Sequence, residues 1–195
     1  MEADKRNDGA GSGLAVLFPG IGYTCDKPLL YYSGKLARLA GYEVMPVPYG
    51  NFPPKVRGDR ERLRESIEIA YAQAETLLAD IRWAGYARIA FIGKSIGTAV
   101  AARYAHARSI PARLILLTPL AETFHCPCPH STAFHGTADP WASNEEIANA
   151  CRARDIPLYL TEGANHSLET GDPLKDIRIL LKTMETVRAA LEGPV

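Results

Sequence analysis

The sequence predicts an α/β protein of three layers, with helices on both faces of a mainly parallel, six-stranded sheet. Three observations carry this. Short apolar, β-prone runs alternate with segments of helical periodicity along the chain. One such run, Arg88 to Ile92, breaks directly into Gly93-Lys94-Ser95-Ile96-Gly97. The alanine-rich segment Thr98 to Ala107 then reads as a helix, so a serine sits where a strand turns sharply into a helix.

Taken in order, Leu14 to Phe18 reads as the first strand and Pro19 to Thr24 as a loop. Asp26 and Pro28 open a helix running to about Ala40, which Gly41 closes. Tyr42 to Val47 is the next strand, ended by Pro48, and Tyr49 to Gly58 is the longest irregular insertion. Asp59 begins a long helix predicted to reach Trp83, because Leu63, Ile67, Ala70, Tyr71, Ala74, Leu77, Leu78 and Ile81 fall on one stripe. After the serine turn comes the apolar strand Arg113 to Thr118. Twelve residues with three prolines, Pro119 to His130, lead to the strand that begins at Ser131. Ser143-Asn-Glu-Glu146 has the pattern of a capping box and starts a helix to about Ala153. A strand at Leu158 follows. Asp172-Pro173 caps the last helix, with Ile177, Leu180, Leu181, Met184, Val187 and Leu191 as its apolar stripe.

A chain of 195 residues is long enough for one domain with a real core and short for two, and it is assigned to 14–195. Residues 1–13 are polar and lack the apolar centre of a secretory signal, so they read as a disordered tail on a cytoplasmic protein. A formal net charge of zero argues against nucleic acid and anionic membrane surfaces as partners. No apolar run approaches a bilayer-spanning length. The four cysteines read as thiols. His125-Cys126-Pro-Cys128-Pro-His130 has the residue types of a zinc site, but its spacing is poor and its prolines suit a braced crossover, so no metal or other cofactor is expected.

The Gly93-to-Gly97 turn resembles the nucleophile elbow of the α/β hydrolases, and the resemblance extends from Leu14 onward. That family orders its triad serine, acid, histidine. Ser131-Thr-Ala-Phe-His-Gly-Thr-Ala-Asp139-Pro-Trp141 and Leu158-Tyr-Leu-Thr-Glu-Gly-Ala-Asn-His166 match the places of acid and base. Leu14-Ala-Val-Leu-Phe-Pro-Gly-Ile-Gly-Tyr23 matches the first core strand and oxyanion loop, with Pro19-Gly20 where His-Gly is common. The family's leading antiparallel strands are missing, and the crossover from Pro119 is too short for a lid. The resemblance therefore implies a minimal, lidless α/β-hydrolase fold with an open site.

It further implies a serine hydrolase that cleaves an ester or related acyl bond through an acyl-enzyme. Ser95 would be the nucleophile, His166 the base and Asp139 the acid that orients it, with Glu122 as the rival acid. The backbone N–H groups of Ile96 and of Ile21, in the Gly20-Ile21-Gly22 loop, would form the oxyanion hole. Tyr23, Phe52, Lys55, Arg57 and Lys94 could line the substrate site with Gly20 and Gly22, or simply be solvated surface. His135 and His106 read as hydrogen-bonded structural histidines. The implied partner is a small acyl substrate, and a homo-oligomer stays open. Thioesterase, acyltransferase and small-peptidase readings share the triad. A non-catalytic binding protein could share the fold.

Overall fold

The structure is a computed structural model that describes residues 13–193. The strands are β1 (Gly13–Phe18), β2 (Tyr42–Pro46), β3 (Arg88–Lys94), β4 (Arg113–Leu117), β5 (Ser131–Gly136) and β6 (Leu158–Thr161). They form one sheet in the order β2-β1-β3-β4-β5-β6, with every neighbouring pair parallel. The tail expected over residues 1–13 lies outside the described residues, apart from Gly13, which opens β1.

The helices are α1 (Pro28–Leu39), α2 (Arg60–Leu77), α3 (Ile96–Ala107), α4 (Asn144–Arg152) and α5 (Pro173–Glu192), with one-turn 3-10 helices at Trp83–Gly85 and Ala121–His125. Strand order reverses direction once, between β1 and β3. With right-handed crossovers, α1 and α5 then cover one face and α2, α3 and α4 the other. Each face has its own core. Leu29, Leu30, Met184 and Val187 pack on Ala15, Ile92 and Ile115 on the first face. Leu63, Ile67, Val100 and Ile147 pack on Val16, Phe91 and Leu116 on the second. Alternate residues of each buried strand thus feed opposite cores, as the two-residue period requires.

Several predicted boundaries move. The helix expected to reach Trp83 stops at Leu77, and the chain turns so that Trp83 packs edge-on against Phe91 at 5.5 Å and Tyr104 at 5.8 Å. Burying that indole outweighs the helical period beyond Leu78. The helix after the serine begins at Ile96 rather than Thr98. The capping box at Ser143 does not form: its side chain caps nothing, and Asn144 Nδ2 instead donates to the Thr137 carbonyl at 2.9 Å. On α5, Met184, Val187 and Leu191 are buried, but Ile177 and Leu181 are 62% and 60% exposed. Ile179 and Leu180 take the inward positions at that level and pack on the core, so Ile177 and Leu181 lie on the outer side of the helix. Pro46 sits in edge strand β2, where its missing N–H breaks no inner ladder.

Candidate active site

The site lies at the one place where strand order reverses, at the carboxyl ends of β1 and β3, the usual crevice of open α/β sheets. Register brings Phe18 of β1 opposite Gly93 of β3, so the loops after both strands start side by side. A side chain at Gly97 would put its Cβ 2.0 Å from the Phe18 carbonyl oxygen. The start of α3 can therefore rest on the end of β1 only with glycine there. This close approach holds Ser95 at φ 56° and ψ −124°, a strained backbone for a residue with a side chain.

Ser95 is further tied in place. Its N–H donates to the Leu117 carbonyl at 3.1 Å, and its own carbonyl accepts the Thr98 hydroxyl at 2.6 Å. Thr98 Oγ1 in turn lies 2.6 Å from the Thr123 hydroxyl, which links the Ala121–His125 turn to the elbow.

The loops after β5 and β6 bring the other two groups in. Ser95 Oγ lies 2.8 Å from His166 Nε2, and His166 Nδ1 lies 2.7 Å from Asp139 Oδ2. A carboxylate can only accept, so the proton sits on Nδ1, and Nε2 is left to accept the serine hydroxyl. The other carboxylate oxygen, Oδ1, accepts the Trp141 N–H at 2.9 Å. Trp141 then stacks its ring on the His166 ring, with centroids 5.2 Å apart and planes 21° from parallel. The His166 loop is wound around Asn165, whose Oδ1 accepts the N–H of Ser167 at 2.7 Å and of Glu169 at 3.2 Å. Leu168, 2% exposed, anchors it in the core. Burial is the main reason that the His166 pKa is lowered from 6.5; the Asp139 hydrogen bond pulls it up and nearby Lys94 pushes it down.

In the loop after β1, the Gly20 N–H donates to the Tyr23 carbonyl at 3.0 Å and the Tyr23 N–H returns to the Gly20 carbonyl at 3.2 Å. The N–H of Ile21 lies inside this small turn and is not spent on it. Ile96, the first residue of α3, has no earlier helical carbonyl to bond. Both expected oxyanion donors are thus on elements that flank Ser95. The long loop from Tyr49 is braced to this region: the Tyr49 hydroxyl donates to the Pro19 carbonyl at 2.5 Å, and Gln73 makes paired hydrogen bonds to Gly50 at 3.0 and 2.9 Å.

Other expected site residues fall elsewhere. Glu122 makes no bond to His166 and lines a separate cleft with Arg64 and His125. Lys94 is not solvated surface and does not line the mouth of the site: as the last residue of an inner strand it is 1% exposed. Tyr23 is 8% exposed, and its hydroxyl already accepts the Leu29 N–H at 3.0 Å, so it does not present a wall to substrate. Phe52 is half-buried against Tyr49, Gly22 is exposed, and Lys55 and Arg57 are solvated.

His135 is fully buried, as a strand histidine should be, but among the described residues neither ring nitrogen has a hydrogen bond. Its Nδ1 lies 3.6 Å from Asp139 Oδ2, and burial lowers its pKa. His106 is not held by structure; it lies exposed on the outer side of α3. Cys128 is buried with its thiol directed at the Thr123 carbonyl, while His125 and His130 face solvent. Among the described residues no group of three or more His, Cys, Asp and Glu gathers around a point. Among the same described residues the cysteines are free thiols, and no helix is long and apolar enough to cross a membrane.

Sequence reasoning missed Trp141, Asn165, Thr98 and Thr123 as supports of the site. Only Trp141 carried a signal, its place two residues after Asp139.

No family model matches this sequence, and no curated protein matches it. Solved structures do. A serine hydrolase homologue from Coxiella burnetii matches with a TM-score of 0.60 at 16% identity, over 91% of this chain and 83% of that one. A serine hydrolase without a lid from Xanthomonas campestris gives 0.57 at 15%, over 92% and 80%. An esterase from Pyrococcus furiosus gives 0.60 at 12%, over 92% and 82%. At such identities the likeness is one of fold. The chain has the α/β-hydrolase fold, in its minimal form without a lid domain.

Proposed function

We propose that the protein is a serine hydrolase that cleaves an ester or related acyl bond through an acyl-enzyme. The observation that carries this is the unbroken chain from Ser95 Oγ through His166 to Asp139, at 2.8 and 2.7 Å, on a serine with φ 56°. An esterase and two serine hydrolases among proteins of the same fold agree with it.

Ser95 Oγ attacks the carbonyl carbon while its proton passes to His166 Nε2. Asp139 holds the ring and stabilises the imidazolium. The carbonyl oxygen, now negative, takes the N–H groups of Ile96 and Ile21. Collapse of this intermediate breaks the bond to the leaving alkoxide, which takes the proton back from His166. Water then repeats the sequence on the acyl-serine and releases the acid. No step requires a cofactor.

The test is labelling by a fluorophosphonate and turnover of p-nitrophenyl acetate, with wild type beside Ser95→Ala. The expected result is loss of label and a fall in turnover of at least about a thousandfold in a folded variant. Substantial turnover by clean Ser95→Ala sinks the assignment.

A further inference from the structure

Lys94 immediately precedes the nucleophile and is 1% exposed. Among the described residues, no carboxylate or carbonyl oxygen is hydrogen-bonded or ion-paired to its ammonium. Its place in β3 shares the face of Ala90 and Ile92, towards α1 and α5. There its Nζ lies 4.9 Å from the centre of the Tyr23 ring. Tyr23 is thus fixed at three points: by its main chain to Gly20, by its hydroxyl to the Leu29 N–H, and by its ring to Lys94. Gly20 in turn rests on the nucleophile, since a Cβ there would stand 3.0 Å from Ser95 Cβ. A methionine would fill the volume of the lysine without burying a charge, so packing alone does not call for an amine.

We propose that Lys94 is a positioning residue: its ammonium, seated on the face of Tyr23, locks the Gly20–Tyr23 turn to the nucleophile's own strand and so fixes the Ile21 N–H beside Ser95. This rests on the serine-hydrolase reading above. A cation over an aromatic face gains most where water is excluded, which is the case here. The same charge acts on the base. The groups around it are Tyr23 and Lys27, whose Nζ is 6.0 Å from the same ring, Asp139 after β5, and His166 with Glu169 in the base loop. His135 of β5 flanks Asp139, and Asp176 of α5 is taken up by Thr170. Within this set Lys94 opposes the imidazolium that Asp139 favours.

The experiment compares wild type, Lys94→Met, Tyr23→Leu and the double variant. It follows p-nitrophenyl acetate hydrolysis across pH, thermal melting, and the ring-current shift of the Lys94 ε-protons by NMR. Below about pH 7, where the Lys94 amine carries its charge, Lys94→Met is expected to lower kcat about tenfold to a hundredfold with KM little changed, as loss of an oxyanion donor's alignment does. The acid limb of kcat/KM should move to higher pH, and melting should not fall. The double variant should be no slower than the slower single, because both break one contact. Unchanged kcat overturns the proposal, as does a loss that only follows a lower melting temperature with the acid limb in place, or losses that multiply. A Lys94 resonance without a ring shift overturns it while leaving the hydrolase reading intact. Wild type that neither takes the fluorophosphonate nor cleaves the ester overturns the hydrolase reading and this role with it.

Discussion

A Cβ on Gly136 would stand 2.2 Å from the carbonyl oxygen of Ala164. The end of β5, which leads to Asp139, and the loop that carries His166 are therefore in direct backbone contact. The Ala138 N–H donates to that same Ala164 carbonyl at 2.9 Å. This contact bears on the distance between Asp139 and His166, and it exists because residue 136 has no side chain.

Gly136→Ala should accordingly separate the two loops. Backbone atoms at 2.2 Å cannot give way as a side-chain tip can. A loss of about 1–3 kcal/mol in stability, the usual cost of overpacking, should appear in a denaturant titration. Turnover should fall by more than tenfold, since about 1 Å of misplacement can cost a hundredfold. Stability and turnover equal to wild type would mean that the contact is slack.

The acid can be tested by ranking two carboxylates. Asp139→Asn should lower kcat by about ten-thousand-fold, because the amide can hold the wrong tautomer of His166. Glu122→Gln, which touches neither His166 nor Ser95, should change it less than about twofold. The reverse order would transfer the role to Glu122.

Stability should depend on pH through Lys94. Burial lowers its pKa from 10.5 to about 7 in the folded chain, so the unfolded chain binds more protons between those values. Stability from this group is full above 10.5 and is lost as pH falls to about 7. His135 and His166 act in the same sense below 6.5, their folded pKa values being lowered mainly by burial. Chemical denaturation of wild type should thus show stability rising from pH 7 to 10, and Lys94→Met should flatten that rise. A wild-type curve that falls over this range would contradict the buried charge. Activity follows from the same sign: the acid limb of kcat/KM should lie below pH 6.5, because the base stays neutral there.

The missing lid bears on substrate length. Each methylene that a lid would bury is worth about 0.8 kcal/mol, roughly fourfold in binding. Here the crossover after β4 holds only the single turn Ala121–His125, and the Tyr49-to-Gly58 loop is spent on Pro19 and Gln73. For nitrophenyl esters from acetate to palmitate, kcat/KM should rise over the first few carbons and then flatten or fall. A steady climb to the longest soluble chain would reveal a deep apolar tunnel.

Much of this molecule is legible without coordinates. The two-residue and 3.6-residue periods locate the strands and the main helices, because each records which face must leave water. The elbow and the order of Ser95, Asp139 and His166 along the chain are local patterns at strand ends, so they too can be read in one dimension. What failed was decided by contacts between distant segments. Trp83 left the predicted helix because Phe91 and Tyr104 offered it a better burial, and Ile177 and Leu181 stay outside because Ile179 and Leu180 take the inward positions at that level of α5. Lys94 shows the division most sharply. The sequence determined that a lysine would precede Ser95 at the end of an inner strand. Only the tertiary structure decided that its charge would be enclosed under Tyr23 instead of in water, because enclosure depends on which loops close over a strand end, and those loops come from residues far apart in the chain.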